Sequence, residues 1–156
     1  MKYDKLKIIG REEWCTFSDL EIPAILARID SGAKTSSIQA TEIELVETNG
    51  EKWVKFVVHP IQKNIDIRVH CKAKLIDTRS IKGSFGISED RFIIKTAITI
   101  GEETFEIEFS LANRNTMEFR MLLGREAIKG RYLINPAERY VQKRYTKKQI
   151  LKLYQV

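Results

Sequence analysis

The sequence predicts a mainly-β domain, an antiparallel barrel or sandwich, and three observations predict it. Short apolar runs with a period of two recur at close spacing along most of the chain. The pair Asn49-Gly50 stands between two of them, where both residues tolerate the positive φ of a two-residue hairpin. Only two pieces have helical character, and both follow residue 124.

Taken in order, Ala24–Asp30 (AILARID) is apolar and carries β-branched residues. Thr41–Glu47 alternates, with Ile43 and Leu45 on one face. Trp53–Val58, Ile65–Val69, Phe92–Ile100 and Thr104–Leu111 repeat the period of two. Gly101-Glu102-Glu103 makes a second hairpin turn. Arg125–Lys129 reads as a short helical turn. Thr146–Tyr154 reads as a helix with Thr146 as N-cap and with Ile150, Leu151 and Tyr154 on one face. No internal repeat or linker is visible.

With 156 residues, 43% of them hydrophobic, the chain fills one domain core and carries no signature of disorder. No apolar run is long enough to span a membrane. The N-terminal residues have no apolar signal region, and Cys15 and Cys71 make no disulfide framework, so a cytoplasmic protein is expected. The net charge of +6 is segregated. Acids and bases cancel as far as Glu138, and the excess lies in Arg139, Lys143, Arg144, Lys147, Lys148 and Lys152. A neutral body with a basic tail points to an acidic partner docking at one end, or simply to a solvated terminal helix. It disfavours nucleic-acid binding, which calls for charge on the folded body.

Two segments break the strand pattern. Ile29-Asp30-Ser31-Gly32-Ala33 ends an apolar strand with a carboxylate, a hydroxyl and a glycine. A charge there is costly unless it is hydrogen-bonded or does chemistry. The Gly32 N–H and the Ser31 hydroxyl are the groups to hold it, and an ordinary Asx turn is the plain alternative. Met121-Leu122-Leu123-Gly124-Arg125-Glu126-Ala127-Ile128 runs from an apolar strand through a glycine into a helical turn, as a buried strand with a terminal glycine also does.

In this order the two segments resemble the halves of a retropepsin subunit. The resemblance extends through Ile9-Gly10-Arg11-Glu12-Glu13-Trp14, Ile29–Ala40, Val58-His59-Pro60, Ala112-Asn113-Arg114 and Phe119–Pro136. Together these are similar to the bacterial retropepsin-like family, whose older names are ATP-dependent zinc protease and RimK-associated protease. The resemblance implies a closed retropepsin-like β-barrel over residues 1–142, followed by a basic helical tail over 143–156.

It also implies an aspartic endopeptidase that works as a homodimer on an extended peptide. There is one Asp-Ser-Gly, and Asp77-Thr78-Arg79 lacks the glycine that permits close approach, so the second acid has to come from a second copy. Two carboxylates roughly 3 Å apart cannot both ionise easily and share a proton. One then activates a water while the other protonates the peptide carbonyl. In this scheme Asp30 is catalytic, Ser31 and Gly32 orient it, and Ala33 packs behind. Thr35 and Ser36 continue the loop, as hydrogen-bonding or as surface residues. Leu122, Leu123 and Gly124 close behind the loop, and Arg125 pairs with a carboxylate, bridges subunits or is simply exposed. Two hairpins are candidates for the covering flap: Glu47–Trp53, and the longer loop Asp77–Arg91 with Lys82-Gly83-Ser84-Phe85-Gly86.

The zinc name is not supported by the residues. Only His59, His70, Cys15 and Cys71 offer soft ligands, and neighbours His70 and Cys71 in a strand point to opposite faces. Gln39 stands where relatives often carry a histidine. With no phosphate-binding glycine loop either, no metal and no cofactor is expected. A second function class stays open: a non-catalytic partner of the ATP-grasp glutamate ligase with which the family is associated. A bridging reading has the basic tail recruiting an acidic or polyglutamylated protein.

Overall fold

The computed structural model describes residues 2–82, 86–113 and 119–155. The chain runs β1 (Lys7–Ile9), β2 (Glu12–Phe17), a 3-10 turn (Ser18–Leu20), β3 (Ile22–Asp30), β4 (Ser36–Gln39), β5 (Thr41–Thr48) and β6 (Glu51–Val58). It continues through β7 (Val69–Lys82), β8 (Ser88–Ile100), β9 (Glu103–Ala112), β10 (Met121–Gly124), α1 (Arg125–Ile128), β11 (Tyr132–Ile134) and α2 (Lys147–Leu153). The protein is mainly β with two helices, as its alternating runs predict.

Nine strands form one sheet in the order β2-β3-β10-β4-β9-β8-β7-β6-β5, and β1 pairs with β11 in a small parallel sheet. The large sheet curls until β2 meets β8, but only at Thr16↔Thr99. The pairings therefore show a curled sheet joined by one bridge, and they do not show the expected closed barrel. Local chemistry sets the antiparallel part. Asn49 and Gly50 both have positive φ (53° and 79°), and Thr48 faces Glu51 across the predicted two-residue turn. Gly101 (φ 61°) opens the turn that pairs Ile100 with Glu103. The inner faces of the strands bury Phe17, Phe56, Phe109, Ile38, Ile94, Ile98 and Leu123 in one cluster. Each such side chain contributes about 1.5–3 kcal/mol on burial.

Two segments differ from expectation. Ile65–Val69 is not a strand: β7 begins at Val69, and Ile65 is 68% exposed. The Asn64 side chain accepts from the Asp66 N–H at 2.9 Å, and Asn64 N–H donates to Ile61 O, so local turn bonds replace a ladder. Conversely, Asp77–Arg91 is not a loop. Asp77–Lys82 pairs with Ser88–Ile93 as a long arm of β7 and β8, beyond a bulge between Leu75 and Asp77. Residues 83–85 of this segment, like Arg114 in the second-half motif, lie outside the described residues.

The C-terminal helix follows its sequence signals. Thr146 caps α2, its hydroxyl accepting from Gln149 N–H while the Gln149 side chain accepts from Thr146 N–H. Ile150 is buried, and the Tyr154 hydroxyl donates to Ala24 O, which fastens the helix to β3. Among the described residues no helix is long and apolar enough to cross a membrane.

Candidate functional site

Strand β10 is the centre of the site. It lies between β3, to which it is parallel, and β4, to which it is antiparallel, so the chain's second half threads between two strands of the first. The parallel register sets Leu123 beside Ile29 and Gly124 beside Asp30. A Cβ on Gly124 would lie 2.8 Å from Thr35 C, 2.9 Å from Ala33 O and 3.0 Å from Ser36 N, all backbone. Only glycine permits this approach.

Four hydrogen bonds then lock the 30–36 loop to the start of α1. Gly124 N–H donates to Ser36 Oγ at 2.9 Å, and the serine is 2% exposed. Arg125 N–H donates to Ala33 O at 2.6 Å, and Glu126 N–H to Lys34 O at 3.1 Å. The Arg125 guanidinium donates to Ser31 O at 2.8 Å. Among the described residues Arg125 thus meets backbone of the loop rather than a carboxylate.

The loop leaves Asp30 half-buried at the end of β3, with Ser31 and Gly32 exposed. Gly32 N–H donates to Asp30 Oδ1 at 2.9 Å, and Ala33 N–H to Asp30 O at 3.3 Å. The Ser31 hydroxyl makes no bond to the carboxylate, and no cation pairs with it among the described residues. Asp30 is therefore a half-buried acceptor that holds one N–H at Oδ1. The other loop residues are brought together as a unit: Ala33 and Thr35 are half-buried, while Leu123 is wholly buried behind them.

Sequence reading missed a second acid. Glu13 is 0% exposed, yet it has no cationic partner among the described residues. Its carboxylate accepts three backbone N–H bonds: from Gly10 at 2.7 Å, Val141 at 2.9 Å and Gln142 at 3.0 Å. The last two tie down a strap that follows β11. The strap is also held by Arg11 N–H to Glu138 O at 2.8 Å and Tyr140 N–H to Glu12 O at 3.0 Å. Trp14 packs edge-on against Tyr145, with ring centroids 5.7 Å apart. A Cβ on Gly10 would strike the strap backbone, 2.7 Å from Glu138 C. Arg11 O in turn accepts from Ile29 N–H at 2.9 Å, so the strap braces the strand that carries Asp30. The signal available in sequence was a charge at an inward position of β2, between apolar Cys15 and Ile9.

The remaining candidates lie elsewhere. His59 bonds Ile65 O within the 59–68 turn region, and His70 is exposed while Cys71 is buried, on opposite faces of β7. Burial pushes the Cys71 thiol up to about 12, so it is no nucleophile at neutral pH. Of the basic tail, Arg139 lies 3.9 Å from Glu12, and Lys147, Lys148 and Lys152 line the outer side of α2.

Beside the loop opens a cavity of about 590 Å³. Lys34 and Thr35 of the loop form one wall, Arg79–Ile81 of the β7 arm another, and Glu126, Ala127 and Arg131 at and after α1 a third. The β5–β6 hairpin lies at the far edge of the sheet, β5 being its last strand.

Comparison with known proteins gives the family and the fold. The model of the RimB-like family, described as retropepsin-like aspartic endopeptidase RimB, matches residues 8–145. A probable alpha-L-glutamate ligase of Desulfotalea psychrophila is 53% identical over 131 residues, covering 84% of this chain and 28% of that protein. One of Shewanella halifaxensis is 45% identical over 153 residues, covering 98% of this chain and 33% of that protein. The chain thus spans about a third or less of these curated relatives' length. A crystal structure of a Legionella pneumophila protein with unknown function superposes with a TM-score of 0.72 at 25% identity, covering 88% of this chain and 98% of that one.

Proposed function

The chain belongs to the RimB-like family of retropepsin-like aspartic endopeptidases, and on that premise we propose that it hydrolyses peptide bonds with a dyad of two Asp30 residues, one from each copy in a homodimer. The observation that carries this reading is the state of Asp30: one Asp-Ser-Gly per chain, with the carboxylate half-buried and held by a single N–H at Oδ1. In the dimer the two carboxylates share one proton, because like charges at about 3 Å do not both ionise. The ionised one takes a proton from water as it attacks the peptide carbonyl carbon; the protonated one donates to the carbonyl oxygen. Collapse of the tetrahedral intermediate returns a proton to the leaving amine.

Each predicted residue has a part in this scheme. Gly32 sets the carboxylate's orientation through its N–H, Ser31 ties the loop to Arg125 through its carbonyl, and Ala33, Thr35 and Ser36 hold the loop against Gly124 and Arg125. Leu122 and Leu123 back the loop. The β7–β8 arm serves as flap, since it walls the cavity beside the loop, which no residue of the β5–β6 hairpin lines. A substrate strand lies between arm and loop by main-chain bonds. Cleavage of a peptide library by wild type and by Asp30→Asn tests the mechanism: the variant is expected to fall to background, and equal cleavage overturns it. Sedimentation is expected to show a dimer; a strict monomer at every concentration removes the dyad.

One observation favours a second reading. The relatives named probable alpha-L-glutamate ligase contain this region within a chain about three times as long. The region is then a binding or regulatory partner of a glutamate ligase, with the tail at 143–156 as contact. Capture of a purified ligase that survives Asp30→Asn but is lost on deleting 143–156 supports it, and the absence of any complex rejects it.

A further inference from the structure

We infer that the large sheet carries a binding site for a phosphate-type oxyanion, on the face opposite the Ile38 cluster, built by Arg91, Ser110, Ser37 and Arg120; it does not depend on the protease reading. Register places the group. In the strand order β10-β4-β9-β8, Leu122 pairs with Ser37, Ser37 with Ser110 and Ser110 with Ile93. Residues paired across a ladder project from one face, as do residues two apart on one strand. Arg120 and Arg91 therefore share this face from the two outer strands of the four, with Ser37, Gln39 and Ser110 between them. Ile38, next to Ser37, points the other way into the core.

A surplus of donors marks the place. Arg91 is 9% exposed, and Gln39, Ser37 and Ser110 are less so. Arg91 donates from Nε to Glu89 at 2.6 Å and from Nη1 to Ser110 Oγ at 3.4 Å. Half-buried Arg120 donates from Nη1 to Gln39 Oε1 at 3.3 Å. The Ser37 hydroxyl is buried and has no partner among the described residues. What remains is mostly N–H and O–H: the other guanidinium donors, the Gln39 amide and two serine hydroxyls. Among the described residues Glu89 is the one carboxylate bonded to the group. Buried donors take acceptors, and two guanidiniums with hydroxyls between them match a phosphate better than any neutral ligand. Each guanidinium leans one strand inward, to Ser110 and to Gln39. Those two residues stand one strand and two positions apart, on the order of 8 Å, a gap that a tetrahedral oxyanion bridges by accepting from both sides. Ser37 donates from beneath, and half-buried Leu122 and Arg120 form the open side.

The experiment is titration calorimetry of the full chain with inorganic phosphate, O-phosphoserine and acetate at one ionic strength. Saturable one-to-one binding of phosphate is expected, with acetate at least about tenfold weaker. Ser37→Ala and Arg120→Gln are each expected to weaken phosphate about tenfold, the scale of one hydrogen bond to a charged group. In phosphate-free buffer Ser37→Ala is expected to leave the urea midpoint unmoved, since its hydroxyl loses no partner, so a binding defect there is not a folding defect. Binding of phosphoserine alongside phosphate assigns the phosphoryl group of a larger ligand, and binding of phosphate alone assigns the free ion; both uphold the site. Three results overturn it: no saturable binding of either, acetate held as tightly as phosphate, or phosphate binding unchanged in both variants.

Discussion

Two crossings hold this molecule together, and they use their acids in opposite ways. At the Asp30 loop, backbone meets backbone through Gly124, and the one serine bond and three further N–H bonds leave the carboxylate out of the fastening. At the strap, backbone meets backbone through Gly10, and the carboxylate of Glu13 is itself the fastening, saturated by three N–H groups. A buried acid whose lone pairs are filled by fixed donors is a structural element. An acid at a similar junction that holds one N–H is available for chemistry. Distance from the core separates the two roles less than hydrogen-bond saturation does.

The comparison breaks first at Glu13. Glu13→Ala is expected to cost about 3 kcal/mol or more, because three buried N–H groups lose their acceptor at once; urea denaturation reads it, and a loss under about 1 kcal/mol removes Glu13 from the fastening. Gly124→Ala comes next, at about 1–3 kcal/mol, since its Cβ meets backbone that cannot rotate away. The same variant is expected to lose peptide cleavage by displacing the loop. Ser36→Ala leaves the Gly124 N–H without its acceptor and is expected to cost about 1–2 kcal/mol by the same measurement.

Alkaline titration sharpens the contrast. Burial pushes the Cys15 thiol and the Tyr132 hydroxyl well up, with Glu13 adding to both, and burial raises Cys71 to about 12. Each group binds its proton more tightly folded than unfolded, so this stability is whole below the unfolded thiol value near 9.0 and declines as pH rises beyond it. Thermal melts from pH 8 to 11 are expected to fall, and a flat profile removes the burial of these three groups from the alkaline side of the stability curve. The smallest effect is the most telling one. Asp30→Asn is expected to change stability by less than about 0.5 kcal/mol, because Asn Oδ1 still accepts from Gly32 N–H. A large loss there makes Asp30 a second Glu13.

What residue order determined is local. Alternation placed the strands, Asn49-Gly50 placed a turn with two positive φ values, and Thr146 with Gln149 capped the last helix. Asp30-Ser31-Gly32 and Leu122-Leu123-Gly124 were legible as unusual chemistry, because a charge and a glycine at strand ends break the pattern within a few residues. Ile65–Val69 misled for the same reason, its alternation being real but overruled by an Asx turn.

Tertiary structure alone decided which distant segments share a wall. Nothing near Gly124 specifies Asp30 as its parallel neighbour, nothing near Glu13 specifies Val141 and Gln142, and nothing near Lys34 specifies Arg131 across a cavity. Periodicity fixes a strand's faces through its own backbone geometry. The partners on those faces are chosen by the packing of the whole chain, where one glycine or one buried carboxylate settles what can approach.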